Sequence, residues 1–212
     1  MIDPNAFNIN ENSKQNRLED ILTPGEIVLT KITPNKKVFI LEAIFKSLPI
    51  VLIWAGIDFA ILFFMLKDGN FDPMLLAFLI PFFLLHLLPV WMYIPNVVKR
   101  VIEYKNVTYA FTDKRIIIRK GAIAINYQFF FYNEIQSVDV KVGFFDRLFK
   151  VGDLYLNAGT KSGVLEDISS PYQYSANLQK VMNDVKADLY YPNDLRPKEN
   201  HGYNSKYEPK DK

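Results

Sequence analysis

The sequence predicts a membrane α-helical hairpin of two transmembrane helices, followed by a mainly-β roll that a C-terminal α-helix caps. Three observations predict it. Two long apolar stretches carry almost no charge, a series of short segments after them alternates apolar and polar residues, and a final stretch repeats its apolar residues at helical spacing. Hydrophobic residues make up 50% of the 212 and aromatic residues 15%, while the charges gather in particular stretches. A net charge of +2 is too small to argue for nucleic acid as a partner. The absence of cysteine excludes a disulfide, a thiolate metal site and a cysteine nucleophile.

Residues 1–37 form the first unit. Its beginning is polar and acid-rich, with no early apolar run after a basic start, so a mobile tail is expected rather than a cleaved signal peptide. Pro24-Gly25 marks a turn, and Ile27, Leu29 and Ile32 suggest a short extended piece after it.

Residues 38–98 hold the hairpin. Residues 48–66 contain one charge, Asp58, and residues 74–94 contain none; each stretch is long enough to cross ~30 Å of hydrocarbon. The Leu, Ile, Phe and Val residues of the second stretch favour insertion by about 4–8 kcal/mol, against the cost of His86, Pro81 and Pro89. The two prolines are expected to kink that helix. Trp91 and Tyr93 suit a membrane interface. The connection "KDGNFDP" leaves room only for a tight turn, so the helices run antiparallel. Lys31, Lys36, Lys37, Lys46, Lys99, Arg100 and Lys105 lie on one side of the hairpin and Lys67 alone on the other. By the positive-inside rule this places a multi-pass protein in the cell membrane with both termini cytoplasmic.

Asp58 and His86 are ionisable groups inside apolar segments, where such residues are costly and count as functional candidates. Their distances from the outer helix ends differ by four residues, roughly 6 Å at 1.5 Å per residue, which side chains can span. An intramembrane polar pair is therefore expected. Two neutral groups bonded to backbone, proton or ion movement, and an intermolecular contact are the other readings.

Residues 99–191 form the soluble domain, and residues 192–212, rich in Pro, Asn and Lys, are expected to be disordered. Within the domain Val107, Tyr109 and Phe111 alternate, then Ile116 and Ile118, then Ile123 through Phe131, Val138 through Val142, Leu154 through Ala158, and 164–168. That makes about six antiparallel strands. Ser170 suits an N-cap with Pro171 at the first helical position, and Tyr174, Leu178, Val181, Met182, Val185 and Leu189 form one helical stripe.

The segments "LTPGEIVLT", "YAFTDKRIIIRKGAI" and "IQSVDVKVGFFDRLFKVGDLYLNAG" resemble the bacterial pleckstrin-homology-like (PH-like) membrane proteins, also called the DUF304 or YdbS-like family. The resemblance runs from about Leu22 to Tyr191. In the last segment Arg147 and a Val-Gly turn at Gly152 join two strands, and Lys150 stands where a small residue, commonly Gly, is expected. The resemblance implies a PH-like roll attached to membrane helices, with no established catalytic residues.

Two stretches are candidate headgroup or partner contacts. In the first, Phe144, Phe145, Leu148 and Phe149 are spaced so that a helical turn could bury some of them, with Asp146, Arg147 and Lys150 pointing elsewhere. This is a structural connection or an exposed aromatic-basic lip that rests on lipid or grips a protein. In the second, Lys114, Arg115, Arg119 and Lys120 flank a strand, with Arg115 and Arg119 on one face with Ile117. They are a solvated edge or a patch attracted to anionic lipid, at about 1 kcal/mol per basic residue.

An enzyme is not expected. The two histidines, His86 and His201, lie in an apolar segment and in the tail, so no nucleophile-base pair can be assembled from soluble histidine or cysteine. Adjacent Glu166 and Asp167 on a strand point to opposite faces, poor geometry for paired acid-base work. No phosphate loop or zinc spacing is present, and no cofactor, metal or small-molecule substrate is predicted. The expected function is a membrane-anchored, non-catalytic interaction or assembly module that presents its domain to a protein partner or to another copy of itself. The alternatives are an anionic-lipid sensor using the basic hairpin, and an accessory subunit of a transport or stress-response complex.

Overall fold

The computed structural model describes residues 18–68 and 73–190. The expected tail before Leu18, the middle of the interhelical turn and the tail 192–212 lie outside the described residues.

Helix α1, Lys36–Asp68, starts a full three turns ahead of the apolar stretch that predicts it. Helices α2, Pro73–His86, and α3, Leu88–Tyr104, follow, and α3 packs along α1. The single second helix of the expectation is thus two segments. Pro89 lies at the start of α3 and lacks the N–H that would continue the ladder, so the chain breaks at Leu87, whereas Pro81 is accommodated within α2. Two helical runs, Lys36–Lys67 and Ala77–Tyr104, are long and apolar enough to cross a membrane. Most of their large apolar side chains are exposed, among them Leu52, Phe59, Phe64, Phe78 and Leu85.

The rest of the chain builds the PH-like roll. Strands β1 (Val28–Ile32), β2 (Thr108–Thr112), β3 (Arg115–Lys120) and β4 (Asn126–Phe131) form one antiparallel sheet in that order. Strands β5 (Ser137–Lys141), β6 (Val151–Ala158) and β7 (Lys161–Ser169) form a second, with a short helix α4, Phe144–Phe149, between β5 and β6. Helix α5, Pro171–Tyr190, closes the roll. Tyr109, Ile116, Ile118 and Phe130 of the first sheet meet Leu154, Leu156 and Leu165 of the second, with Leu178 and Met182 of α5 completing the core. Ile123 is not in a strand: it stands 96% exposed in the turn before β4.

Two features lie beyond the local pattern. β1, ahead of the hairpin in sequence, pairs with β2 behind it, Ile32 opposite Tyr109, so the roll has seven strands and encloses both helix ends between its own parts. A 3-10 turn at Leu18–Ile21 and the segment after it also lie over the outer face of the first sheet, where Leu18 packs on Ala110 and Ile117. Gly152 is in strand β6 rather than in a turn, opposite Ile168. A Cβ there would stand 2.9 Å from the Lys141 carbonyl oxygen and 3.0 Å from Pro171, which is why the position requires glycine.

Candidate functional site

The basic residues of the β2–β3 hairpin do not form one free patch. Arg115 is buried, and its guanidinium grips both Glu26 oxygens, Nε at 3.0 Å from Oε1 and Nη2 at 2.9 Å from Oε2, while Nη2 also donates to the Ile21 carbonyl. Glu26 accepts three further bonds, from the Thr23 N–H, the Thr23 hydroxyl and the Thr112 hydroxyl. Burial alone would raise its pKa, but these hydrogen bonds, led by Arg115, outweigh burial and hold it at about 2. The reading of Arg115 as part of a solvated edge is corrected here, because the N-terminal segment covers that face of the sheet. Lys114 is exposed and donates to the Thr23 hydroxyl at 3.2 Å, Lys120 donates to Glu166 at 3.1 Å, and Arg119 is half-buried with its Nε unpartnered.

Helix α4 half-buries Phe145 and Phe149 and leaves Arg147 and Lys150 outside, as the spacing suggests, but it turns Asp146 inward. Phe144 and Leu148, one turn apart, are 83% and 70% exposed, whereas Asp146 is buried, its Oδ2 accepting the Gly143 N–H at 2.7 Å. Phe145 packs against Phe45 of α1 with ring centroids 5.1 Å apart, which sets α4 beside the start of the apolar stretch. Arg147 and Lys150 are exposed on the same helix. Lys150 ends it in the left-handed conformation, φ 57°, the geometry that favours the glycine expected at this position.

The hairpin enters the roll at a polar seam. Arg100 of α3 donates to Glu166 of β7 at 2.7 Å and to Glu103 at 3.3 Å, and its guanidinium lies 3.5 Å above the ring of Phe39. Glu166 also accepts from Lys120, and its backbone N–H donates to the Tyr109 hydroxyl at 2.9 Å. Burial would raise the Glu166 carboxyl, but Lys120 and Arg100 outweigh that and leave it below its usual value. Beside the seam, Glu42 of α1, Asp146 of α4 and Asp167 of β7 bring carboxylate oxygens within 4.8 Å of one another. The sequence reasoning missed Glu166 and Asp167 as partners of the hairpin. The available signal was two adjacent carboxylates set between Leu165 and Ile168 in one strand.

Within the hairpin, His86 Nδ1 lies 2.6 Å from Asp58 Oδ1, and the imidazole stacks with Trp54 and with Phe82 at centroid distances of 5.2 and 5.1 Å. Asp58 is 5% exposed, and its second oxygen has no hydrogen-bond partner among the described residues. Such a pair fixes the rotation of the helices about their axes. Asp58→Asn and His86→Leu should each lower the hairpin's thermal stability in detergent, and the double variant should lose less than the sum of the two. Strict additivity would rule out an energetic coupling between them.

A groove of about 310 Å³ runs between β5, the edge strand of its sheet, and α5. Gln136, Ser137 and Val138 line one wall, and Gln179, Met182 and Lys186 the other. Gln136 precedes β5 and Ser137 and Val138 begin it, whereas α4 and its contact with α1 follow the strand's end.

A family model described as the bacterial PH domain matches residues 38–187. The chain belongs to that family. The match begins inside α1 and ends inside α5, so it takes in the hairpin as well as most of the roll, in agreement with the resemblance carried by the sequence segments. Comparison with curated proteins and with solved structures finds no match.

Proposed function

We propose that the chain is a membrane-anchored interaction module with both termini and the roll in the cytoplasm, and that the groove between β5 and α5 receives an extended segment of a protein partner. Bacterial PH domains are typically non-catalytic modules, which is the general reading the family supports. The observation that carries the finer reading is the edge strand beside a groove. A strand at the edge of its sheet can offer backbone hydrogen bonds to an added strand, and the wall formed by Gln179, Met182 and Lys186 supplies side-chain contacts. The lysine and arginine asymmetry about the hairpin supports the topology.

A photo-reactive residue at Gln179 in native membranes tests it. A protein adduct at Gln179 that is absent when the probe stands at Lys114 is expected, and an adduct of twice the chain's mass would identify a second copy as the partner. Labelling of lipid alone, or of nothing, would sink the reading.

The exposed Phe144 and Leu148, on the helix whose Phe145 packs on Phe45, favour a second contact, of α4 with the bilayer surface, which orients the roll. Because the chain has no cysteine, a spin label on Phe144→Cys reports it directly. Protection from a water-soluble relaxant in vesicles is expected, and full accessibility would count against it. This contact replaces headgroup reading by the β2–β3 hairpin, two of whose four cations are held by Glu26 and Glu166.

A further inference from the structure

We infer that Glu42, Asp146 and Asp167 form a binding site for a hard divalent cation at the junction of α1, α4 and β7. One carboxylate oxygen of each lies within 4.8 Å of the others. Oxygens on opposite sides of a Ca²⁺ ion stand about 4.6–5.2 Å apart, twice its usual 2.3–2.6 Å bond length, so one ion can touch all three. Proximity of acids is not the whole case. Asp167 is 0% exposed and, among the described residues, neither of its carboxylate oxygens has a hydrogen-bond partner; Asp146 is 2% exposed and its Oδ1 likewise has none. A buried carboxylate without a partner is among the most costly groups a protein can hold, and cation coordination is one of the few ways to satisfy it.

The backbone is built to present Asp167. The β6–β7 register jumps between Gly152↔Ile168 and Leu154↔Leu165, a bulge that sets Glu166 and Asp167 against the single residue Asp153. Asp167 takes the left-handed φ of 52° there. Its N–H donates to Asp153 Oδ1 at 2.9 Å and its carbonyl accepts the Asn35 N–H at 2.9 Å, so it is held from both sides. The neighbouring cations are already engaged: Arg100 and Lys120 both bond to Glu166. Among the described residues no ion pair reaches Glu42, Asp146 or Asp167. Burial, then the carboxylates of Glu42, Asp153, Asp146 and Glu166, push Asp167 up to about 8, so the cluster gathers either a metal ion or a proton near neutral pH. An all-oxygen donor set selects Mg²⁺, Mn²⁺ or Ca²⁺ over metals that prefer nitrogen and sulfur. Bound there, the ion fastens a hairpin helix to the last strand of the roll.

The test is a Mn²⁺ titration of the full chain in neutral detergent after chelator treatment, followed by electron paramagnetic resonance and by thermal melting. A single saturable site that Mg²⁺ or Ca²⁺ competes for is expected, with an upward shift in melting temperature. Asp167→Asn and Glu42→Gln should each weaken Mn²⁺ binding by about tenfold or more, while Glu134→Gln, on an exposed ion pair elsewhere, should leave it unchanged. Asn keeps the size of Asp and tolerates a left-handed backbone, and Glu42 lies on a different element, so misfolding of one variant leaves the other to decide. No saturable site in the wild-type chain, with Asp167→Asn melting higher than wild type, would show that the cluster holds a proton instead. Equal Mn²⁺ binding by both variants would place the ion elsewhere and overturn the assignment.

Discussion

Glu26→Ala should lower the stability of the roll by about 3–5 kcal/mol, the range for removing one partner of a buried ion pair. The size follows from what is left behind. Arg115 is 7% exposed, lies 4.5 Å from the Phe129 ring centroid, and would keep only the Ile21 carbonyl as an oxygen partner. Thr23 and Thr112 would also lose the acceptor that ties the N-terminal segment to β2. A double variant, Glu26→Leu with Arg115→Met, removes both charges and should lose much less than Glu26→Ala. The same pair predicts an acid limb. Because the folded-state pKa of Glu26 is about 2 against the usual 4.5, its contribution is complete above pH 4.5 and is lost as pH falls from there toward 2. Thermal melts in detergent across that window check both statements. A Glu26→Ala loss below ~1 kcal/mol, or wild-type stability that is flat across the window, would show that the pair is merely tolerated.

That interaction also marks where the sequence stops being legible. Local period and length suffice for the hairpin, for most strands and for α5, because each rests on the spacing of apolar residues within one segment. The Asp58–His86 distance was open to reasoning for a similar cause: both are ionisable groups in otherwise apolar stretches, and helical rise converts their positions into depth. Arg115 and Glu26 are 89 positions apart, and nothing near either one signals a partner. A period of two reports which face of a strand is apolar, but not that a polar face is covered by a segment from across the chain. α4 shows the same blindness on a smaller scale. Its aromatic residues suggested a turn that could bury some of them with the charges outside, yet Asp146 faces inward, its Oδ2 accepting the Gly143 N–H and its carboxylate meeting those of Glu42 and Asp167 from two other elements. Asp167 was set aside because alternation sends it and Glu166 to opposite faces, and the bulge that sets its direction depends on register with β6.

Phe39→Ala should cost about 3–5 kcal/mol and, more tellingly, separate the melting of the roll from that of the hairpin. Phe39 belongs to α1 by sequence but to the roll by packing: it is 0% exposed and clusters with Val107, Tyr109 and Ile168. Its ring lies 5.9 Å from that of Tyr104 and 3.5 Å beneath the Arg100 guanidinium, and Arg100 in turn bonds Glu166. One side chain therefore joins α1, α3 and β7. Truncating it opens a cavity in a core where neighbours cannot collapse independently, and removes the surface on which Arg100 rests. The wild-type chain should melt in one transition by tyrosine fluorescence and by helical circular dichroism. Phe39→Ala should lose the fluorescence transition at lower temperature while the hairpin's helicity persists. Phe63→Ala, on a residue of α1 that is 55% exposed, should shift the same melt by less than ~1 kcal/mol equivalent, as substitutions away from packed sites do. If Phe39→Ala melted like wild type, or if the wild-type chain already melted in two steps, the helix end would be resting beside the roll rather than forming part of its core.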